Sequence, residues 1–431
     1  MRRPQVIVPA VLATIALTLP TVSRTAEVWT LERVLQEAQA VNARLPVAQA
    51  DVHIGAAATR EARAALGPRL SIDGDFRYAP GGASYNPAVA PINEERLQVV
   101  ANQPVYDGGA LHARIRAAGA QLRAADARYR VAKRDLDLEV RTRYAEALAT
   151  EGEISARRQG LERLRSYLSL VRERMAAGQG LEADRLRTEV RLTGEEANLS
   201  DAERRLAQSK LELNDLMGRD PAAPLELAPL PPPSPRRDGA DQPWLRAPDL
   251  VAAEAERETA AANVGQAQAA RLPHLALVFD AGVFGPGVPF PGAEASLPDR
   301  LRDDLGASLT LSFSWALWDL GAYSAQLEQA RLRAKQAEDS VIVTRREARL
   351  AWRHAETDLE SLYFAVQIRS KAVPTARDSY VLTEGLYRGG AASSLEVLDA
   401  YAALVDAEIA EAIAVQQYRV AEAQARRWGE P

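Results

Sequence analysis

Cysteine is absent from all 431 residues. That excludes disulfides, thiol nucleophiles, thiolate metal sites and a lipidated N-terminal cysteine. Positive charge is not in excess either. Against 58 Asp and Glu stand 53 Lys and Arg, a formal net charge of −5, so no basic field invites nucleic acid. Histidine is scarce, and His53, His112, His274 and His354 are scattered without ligand spacing; they read as surface or strand-end residues and give no metal site. Beyond the first residues no stretch offers ~18 uninterrupted apolar residues, so any membrane crossing by the rest of the chain must use strands. Gly178-Gln179-Gly180 is not a phosphate loop, since no strand precedes it and no Gly-Lys-Ser/Thr follows. The carboxylates sit in helical charge patterns. No catalytic constellation or cofactor site emerges, and the chain does not read as an enzyme.

The composition that is present is globular, with 47% hydrophobic and 26% charged residues. Arg2 and Arg3 precede an apolar stretch from Val6 to Leu19, which marks residues 1–26 as a signal peptide with cleavage after Ser23 or Ala26. The rival reading, an uncleaved anchor helix, is disfavoured by the short run and by Pro9 within it.

The remainder is written twice. Gly67-Pro68-Arg69-Leu70 and Leu272-Pro273-His274-Leu275 each follow an alanine-rich helical run. Val105-Tyr106-Asp107-Gly108-Gly109 and Leu317-Trp318-Asp319-Leu320-Gly321 each open a helix, 212 positions apart. The same offset carries Gly178 to Gly390, Asp184 to Glu396 and Leu186 to Leu398. This gives a first repeat over 27–218, a proline-rich extended linker over 219–248 and a second repeat over 249–428. Each repeat reads as short helix, strand, loop, strand, very long helix, glycine break, very long helix.

The strands alternate. In LSIDGDFRY, Leu70, Ile72, Phe76 and Tyr78 alternate with Ser71, Asp73, Asp75 and Arg77; in LGASLTLSFSWAL, every second residue from Leu305 to Leu317 is apolar. RLQVVANQPVY (Arg96 to Tyr106) and HLALVFDAGVF (His274 to Phe284) repeat the pattern less cleanly. A period of two means one greasy face and one wet face. Each run is about the 9–11 residues that a tilted strand needs to cross a bilayer. Tyr78, Tyr106, Phe284, Trp315 and Trp318 lie toward strand ends, as in an interfacial girdle. The joining loops, 79–95 and 285–304, are rich in Gly and Pro and suit an exposed rim. Four strands cannot close a barrel alone, and open edges are not tolerated in lipid, so a membrane reading demands a homo-oligomer. A soluble sandwich is the alternative, but the opposite face is Ser, Thr, Gly, Asp and Asn rather than core material.

From about Gly109 to Ala177 no proline occurs, and one unbroken helix of that length would span roughly 100 Å. The narrow apolar stripe, followed in Leu404, Ile409, Ile413 and Val420, is a coiled-coil signature.

These parts, in this order, resemble the TolC-type outer-membrane efflux family from about Trp29 to Trp428. The resemblance rests on WTLERVLQEAQ, on QPVYDGG and ALWDLG entering the long helices, and on MAAGQGLEADRL and YRGGAASSLEVLDA at the breaks. It implies an α+β membrane fold. Three protomers pool four strands each into a twelve-stranded barrel in the outer membrane of a Gram-negative cell, and their helices form a tunnel through the periplasm. It also implies a passive exit duct, with a periplasmic adaptor and an inner-membrane pump of the RND, ABC or MFS class as partners. A periplasmic adaptor and a non-conducting coiled-coil scaffold are the competing readings.

The glycine breaks, Gly178 and Gly180 in one repeat and Gly389 and Gly390 in the other, are expected to be hairpin tips where glycine supplies φ > 0. Leu395 and Leu398 are candidates to bury, with Glu396 and Asp399 sharing the opposite face at i,i+3 spacing. The resemblance places Glu396 and Asp399 in a periplasmic constriction, where three copies would form carboxylate rings that raise their own pKa values and attract cations. It also makes Asp184 and Tyr387 parts of a closing latch. The latch arginine is missing, because that position is Ala392, and Arg388 is the available substitute. The plainer reading is that these acids favour a helix N-terminus, with Arg187 and Arg191 neutralising Asp184. Asn42-Ala43-Arg44-Leu45-Pro46 departs from the family's Asn-Pro in the first helix.

Overall fold

The computed structural model describes residues 28–78, 93–235, 242–285 and 305–429. The expected signal peptide and the expected rim loops, apart from residues 93–95 and 285, which are strand, lie outside these residues. The chain begins with β1 (Val28–Trp29), α1 (Leu31–Val41) and α2 (Arg44–Ala64), followed by β2 (Arg69–Tyr78) and β3 (Asn93–Tyr106). The first long hairpin is α3 (Ala110–Ala176) with α4 (Glu182–Leu216). β4 (Glu226–Leu227) and a 3-10 turn (Pro243–Arg246) lead to α5 (Pro248–Ala269). Then come β5 (His274–Gly285), β6 (Leu305–Ser314) and a second hairpin, α6 (Ala322–Arg388) with α7 (Ser394–Gly429).

The repeat is visible in the element lengths. α3 and α6 are both 67 residues, about 100 Å at 1.5 Å per residue. Their partners, also read as very long in the sequence, are half as long, 35 and 36 residues. The short first helix is in fact two. Asn42 breaks it in an extended conformation, accepting from the Arg44 backbone N–H at 3.0 Å and donating to the Leu216 carbonyl at 3.3 Å. Pro46 falls in the first turn of α2, where its missing N–H loses no helical bond.

The four long strands form one antiparallel sheet in the order β2-β3-β5-β6. Register stacks Ile72, Val99, Ala281 and Ala307 across one face, and Ser71, Val100, Asp280 and Ser308 across the other. The apolar face is uncovered: Ile72 is 73% exposed and Leu309 67%. On the polar face Ser308 donates to Asp280 at 2.8 Å. β2 and β6 are open edges. β6 ends at Ser314, short of the expected Leu317, and Trp315, Leu317 and Trp318 are exposed in an irregular segment beyond it. The β3–β5 register shifts between Pro104 and Tyr106, since proline cannot donate to the ladder.

Two identical aspartate turns join sheet to helix. The Asp107 carboxylate accepts from the Gly109 N–H at 2.9 Å, and Asp319 accepts from Gly321 at 3.0 Å. Both glycines are left-handed, at φ 88° and 92°. Among the described residues, no helix is long and apolar enough to cross a membrane.

The main core lies midway along the hairpins. Trp29, Val34, Val140, Leu213 and Met217 are buried together there, each large apolar side chain contributing roughly 1.5–3 kcal/mol. Parallel pairing of β1 with β4 brings the start of the described chain onto the linker. Tyr144, fully buried, places its hydroxyl 2.9 Å from the Trp29 carbonyl and 2.6 Å from that of Ala228, and burial pushes its pKa up to about 12. On α7 the linker is held again, by Tyr418 donating to the Ser234 carbonyl at 2.6 Å.

Candidate functional site

The free ends of the two hairpins carry every residue singled out as a gate. Both turns are Schellman motifs. At the first, Gly178 N–H donates to Met175 O at 2.9 Å and Gln179 N–H to Arg174 O at 2.9 Å; at the second, Gly390 donates to Tyr387 O at 3.0 Å and Ala391 to Leu386 O at 2.8 Å. The left-handed residues are Gly178 (φ 76°) and Gly390 (φ 81°). Gly180 and Gly389 do not have positive φ, which corrects the expectation for that pair. Gly180 is needed for closeness, because a Cβ there would lie 2.9 Å from the Met175 backbone nitrogen. Gly389 is an ordinary right-handed helical residue at φ −78° with room for a side chain.

Glu396 and Asp399 lie exposed on the first turns of α7. Leu395 is 56% exposed, against the expectation, while Leu398 is half-buried and packs on the tip core, which Val397, Tyr401 and Leu404 fill. Of the stripe traced in sequence, Leu404 is buried and Ile409 packs on the tip core, whereas Ile413 is exposed. Glu396 closes a capping box: its Oε2 accepts from the Ser393 backbone N–H at 2.6 Å and from Ser393 Oγ at 3.0 Å. These bonds favour the ionised form and hold its pKa below the ordinary carboxylate value, opposite in direction to a carboxylate crowded in a ring. The Ser-x-x-Glu spacing was the sequence signal for this cap.

Asp184 is mostly buried on the first turn of α4, with Arg187 at 3.6 Å. Arg191 pairs instead with Glu195, at 3.4 Å. Tyr387 is buried and meets Tyr167 edge-on at 5.3 Å between ring centroids. Tyr167 donates to Ser394 Oγ at 2.9 Å; burial raises its pKa and the Ser394 bond opposes that. Within the protomer Arg388 does not approach Asp184 but pairs with Glu384 at 3.4 Å. Ala392, at the position where the resemblance leads one to expect an arginine, packs on the tip core. The guanidinium beside Tyr387 comes from the opposite hairpin. Arg174 sits 4.7 Å over the ring and donates to the Tyr387 carbonyl. Nothing in the sequence marks Arg174, one of many helical arginines, because its role depends on α3 meeting α6. Nor are Tyr167, Tyr380 and Tyr401 legible as core. Among the described residues no acidic or histidine cluster is arranged to hold a metal.

An exposed apolar sheet continued by two long hairpins is the geometry against which known proteins can be compared. Residues 34–219 and 241–427 match the family described as outer membrane efflux protein. The chain belongs to that family. It is 26% identical over 276 residues to the pyoverdine export outer membrane protein OpmQ of Pseudomonas putida, a match covering 62% of this chain and 55% of OpmQ. It is 33% identical over 181 residues to protein CyaE of Bordetella pertussis, covering 40% and 38% of the two chains. The chain therefore spans about half or less of these relatives. The fold matches over much greater length. The outer membrane protein VceC of Vibrio cholerae superposes with a TM-score of 0.82 at 21% identity, over 93% of this chain and 96% of VceC. The CmeC outer membrane channel of Campylobacter jejuni gives 0.82 at 16% identity, over 99% and 93%. The fold is thus that of TolC-like outer-membrane channels, and the efflux family's members here are membrane channel proteins rather than enzymes.

Proposed function

We propose that this chain is a passive outer-membrane exit duct of a tripartite export system, assembled as a trimer. In this reading residues 1–26 are a removed signal peptide, and the repeats at 27–218 and 249–428, joined by the 219–248 linker, act as two pseudo-equivalent staves. Three copies complete a twelve-stranded barrel in the outer membrane of a Gram-negative cell. The hairpins extend into the periplasm toward an adaptor and an inner-membrane pump of the RND, ABC or MFS class, which supplies the energy. The tips form the entrance, with Glu396 and Asp399 as its acidic lining and Asp184 and Tyr387 beside it.

The single observation that carries this is the four-stranded sheet. One face is apolar and uncovered, the other is polar, and both edges are open. Such a sheet is stable in water only if covered, and in lipid only if its edges are paired. A periplasmic adaptor would carry one hairpin between small β-domains, whereas this chain has two hairpins on one sheet. A scaffold leaves the apolar face unexplained.

The test is reconstitution. The protein should remain in carbonate-washed outer membranes, migrate as a trimer and conduct in planar bilayers with a preference for cations. The Glu396→Gln, Asp399→Asn double variant should conduct with that preference reduced several-fold. A carbonate-soluble monomer without conductance would sink the duct; unchanged selectivity would sink the acidic lining alone.

A further inference from the structure

The joint between the two repeats inside one chain and the open joint at the chain's outer edges are built from equivalent residues. Positions 212 apart correspond at the strand–helix junctions, and positions 205 apart at the ends of α2 and α5. Side-chain bonding bears out both offsets. Gln103 donates to the Leu66 carbonyl at 2.8 Å, and its counterpart Trp315 donates to the carbonyl of Arg271, the counterpart of Leu66, at 3.1 Å.

Inside the chain, Gly108 of the first junction lies against Leu272 and the carbonyl of Ala269 at the end of α5. A Cβ on Gly108 would come within 2.8 Å of the Leu272 Cβ, and Ala269 is 1% exposed. The equivalent of Gly108 is Leu320, and the equivalents of Leu272 and Ala269 are Gly67 and Ala64. Here the bulk is exchanged. Leu320 is 83% exposed and held at φ 56°, a left-handed conformation that leucine rarely adopts. Ala64 is exposed, and a Cβ on Gly67 would meet nothing closer than the Ala64 carbonyl at 3.5 Å. A protruding leucine and an open glycine-alanine seat thus stand at opposite edges of one protomer. Charge agrees: Arg116 and Gly265, neighbours inside the chain, correspond to Glu328 and Arg60, an exposed pair of opposite sign.

We infer that the repeat-to-repeat joint is the template for the chain-to-chain joint: Leu320 of one copy seats on Ala64 and Gly67 of the next, and β6 pairs with the next copy's β2 in the register of β3 with β5. The partner is a second copy of this chain, so the inference rests on the oligomeric reading above and adds its register and its knob. Inside the chain Asn102 pairs with Val278, and Val100 with Asp280. Transferred, Ser314 pairs with Asp73 of the neighbour, and Ser312 with Asp75.

Because the chain has no cysteine, an introduced pair reports without background. Directly opposed residues on antiparallel strands have Cα atoms about 4.5–5.5 Å apart, within disulfide range. Oxidation of the full-length Asp73→Cys, Ser314→Cys protein should yield intermolecular dimers and trimers on denaturing gels. The Asp75→Cys, Ser314→Cys protein, displaced by two residues, should link at least tenfold less. Preferential linking of the displaced pair would overturn the register. Native mass spectrometry of the same samples separates the failures: a trimer lacking the expected link overturns the joint alone, whereas a monomer overturns the oligomer beneath it. The knob has its own readout. Leu320→Gly should lower the temperature at which the trimer dissociates, although glycine suits that φ better. Adding Gly67→Leu, which recreates the arrangement of Gly108 on Leu272, should restore it. A dissociation temperature unchanged or raised by Leu320→Gly would overturn the seat.

Discussion

Arg174 stacks over Tyr387 and donates to its backbone carbonyl, tying the last turn of α3 to the last turn of α6. One guanidinium thereby serves both hairpins, between a buried aromatic ring and the carbonyl that also accepts from Gly390.

Replacing Arg174 by methionine keeps the stem's packing and removes the cation and the donor. A desolvated cation–π contact and a charge-assisted hydrogen bond together are worth about 2–4 kcal/mol. The variant should show faster proteolysis at residues 177–181 and 389–393, with the sheet and mid-length core unaffected. Equal cleavage rates in variant and parent would show that the contact does not hold the tips.

Three of the tip glycines should respond differently to alanine. Gly178→Ala and Gly390→Ala force a Cβ into the left-handed region and should each cost about 1 kcal/mol. Gly389→Ala, at an ordinary helical φ, should be neutral or stabilise by about 0.5–1 kcal/mol through the unfolded chain. Thermal melts in detergent rank the three. A loss at Gly389 equal to that at Gly390 would contradict the assignment of the turn.

Acidification should undo the cap on α7. The Glu396 pKa is depressed in the folded chain, so its contribution is present above the unfolded carboxylate value, about 4.3, and is lost as pH falls through the lower folded value. In a carboxyl-labelled sample, with the signal assigned by Glu396→Gln, the titration midpoint should fall below that reference. A raised midpoint in the assembled protein would mean that neighbouring copies' carboxylates outweigh the Ser393 bonds.

Leu309→Arg places a charge at the middle of the outward face of β6. Near a bilayer midplane this costs about 2–4 kcal/mol, and membrane insertion should fall while the helical circular dichroism of the solubilised chain persists. Normal insertion would show that the face is not in lipid. Ser308→Arg, on the polar face, is the matched control and should insert.

The strands were legible because alternation is a local property: Leu305 to Phe313 shows its face without knowledge of its neighbours. The duplication was legible because Asp107 and Asp319 do the same local work, each capping a helix. The hairpin arms were harder. α4 and α7 read as very long in charge and alanine content, but α4 stops where Gly218, left-handed at φ 62°, closes a turn on Asp215 just before Pro221. The residues expected at a gate lie at the hairpin ends, but their contacts were not legible. Leu395 read as a candidate to bury, yet Val397 is the buried residue, because so short an apolar stretch does not fix the helical phase. Tyr167, Tyr401 and Arg174 gave no signal, since aromatic hydroxyls and arginines in a polar helix become core only when two hairpins close on each other.

The unequal arms have a mechanical consequence. Of the described helices, α3 and α6 alone run as continuous rods from the sheet turns to the tips, while α4 and α7 end midway, where Met217 is buried and Tyr418 is tied to the linker. That belt is a fulcrum. A lateral push at the tips would bend the lower levers about it, and the strand end of the molecule would stay still.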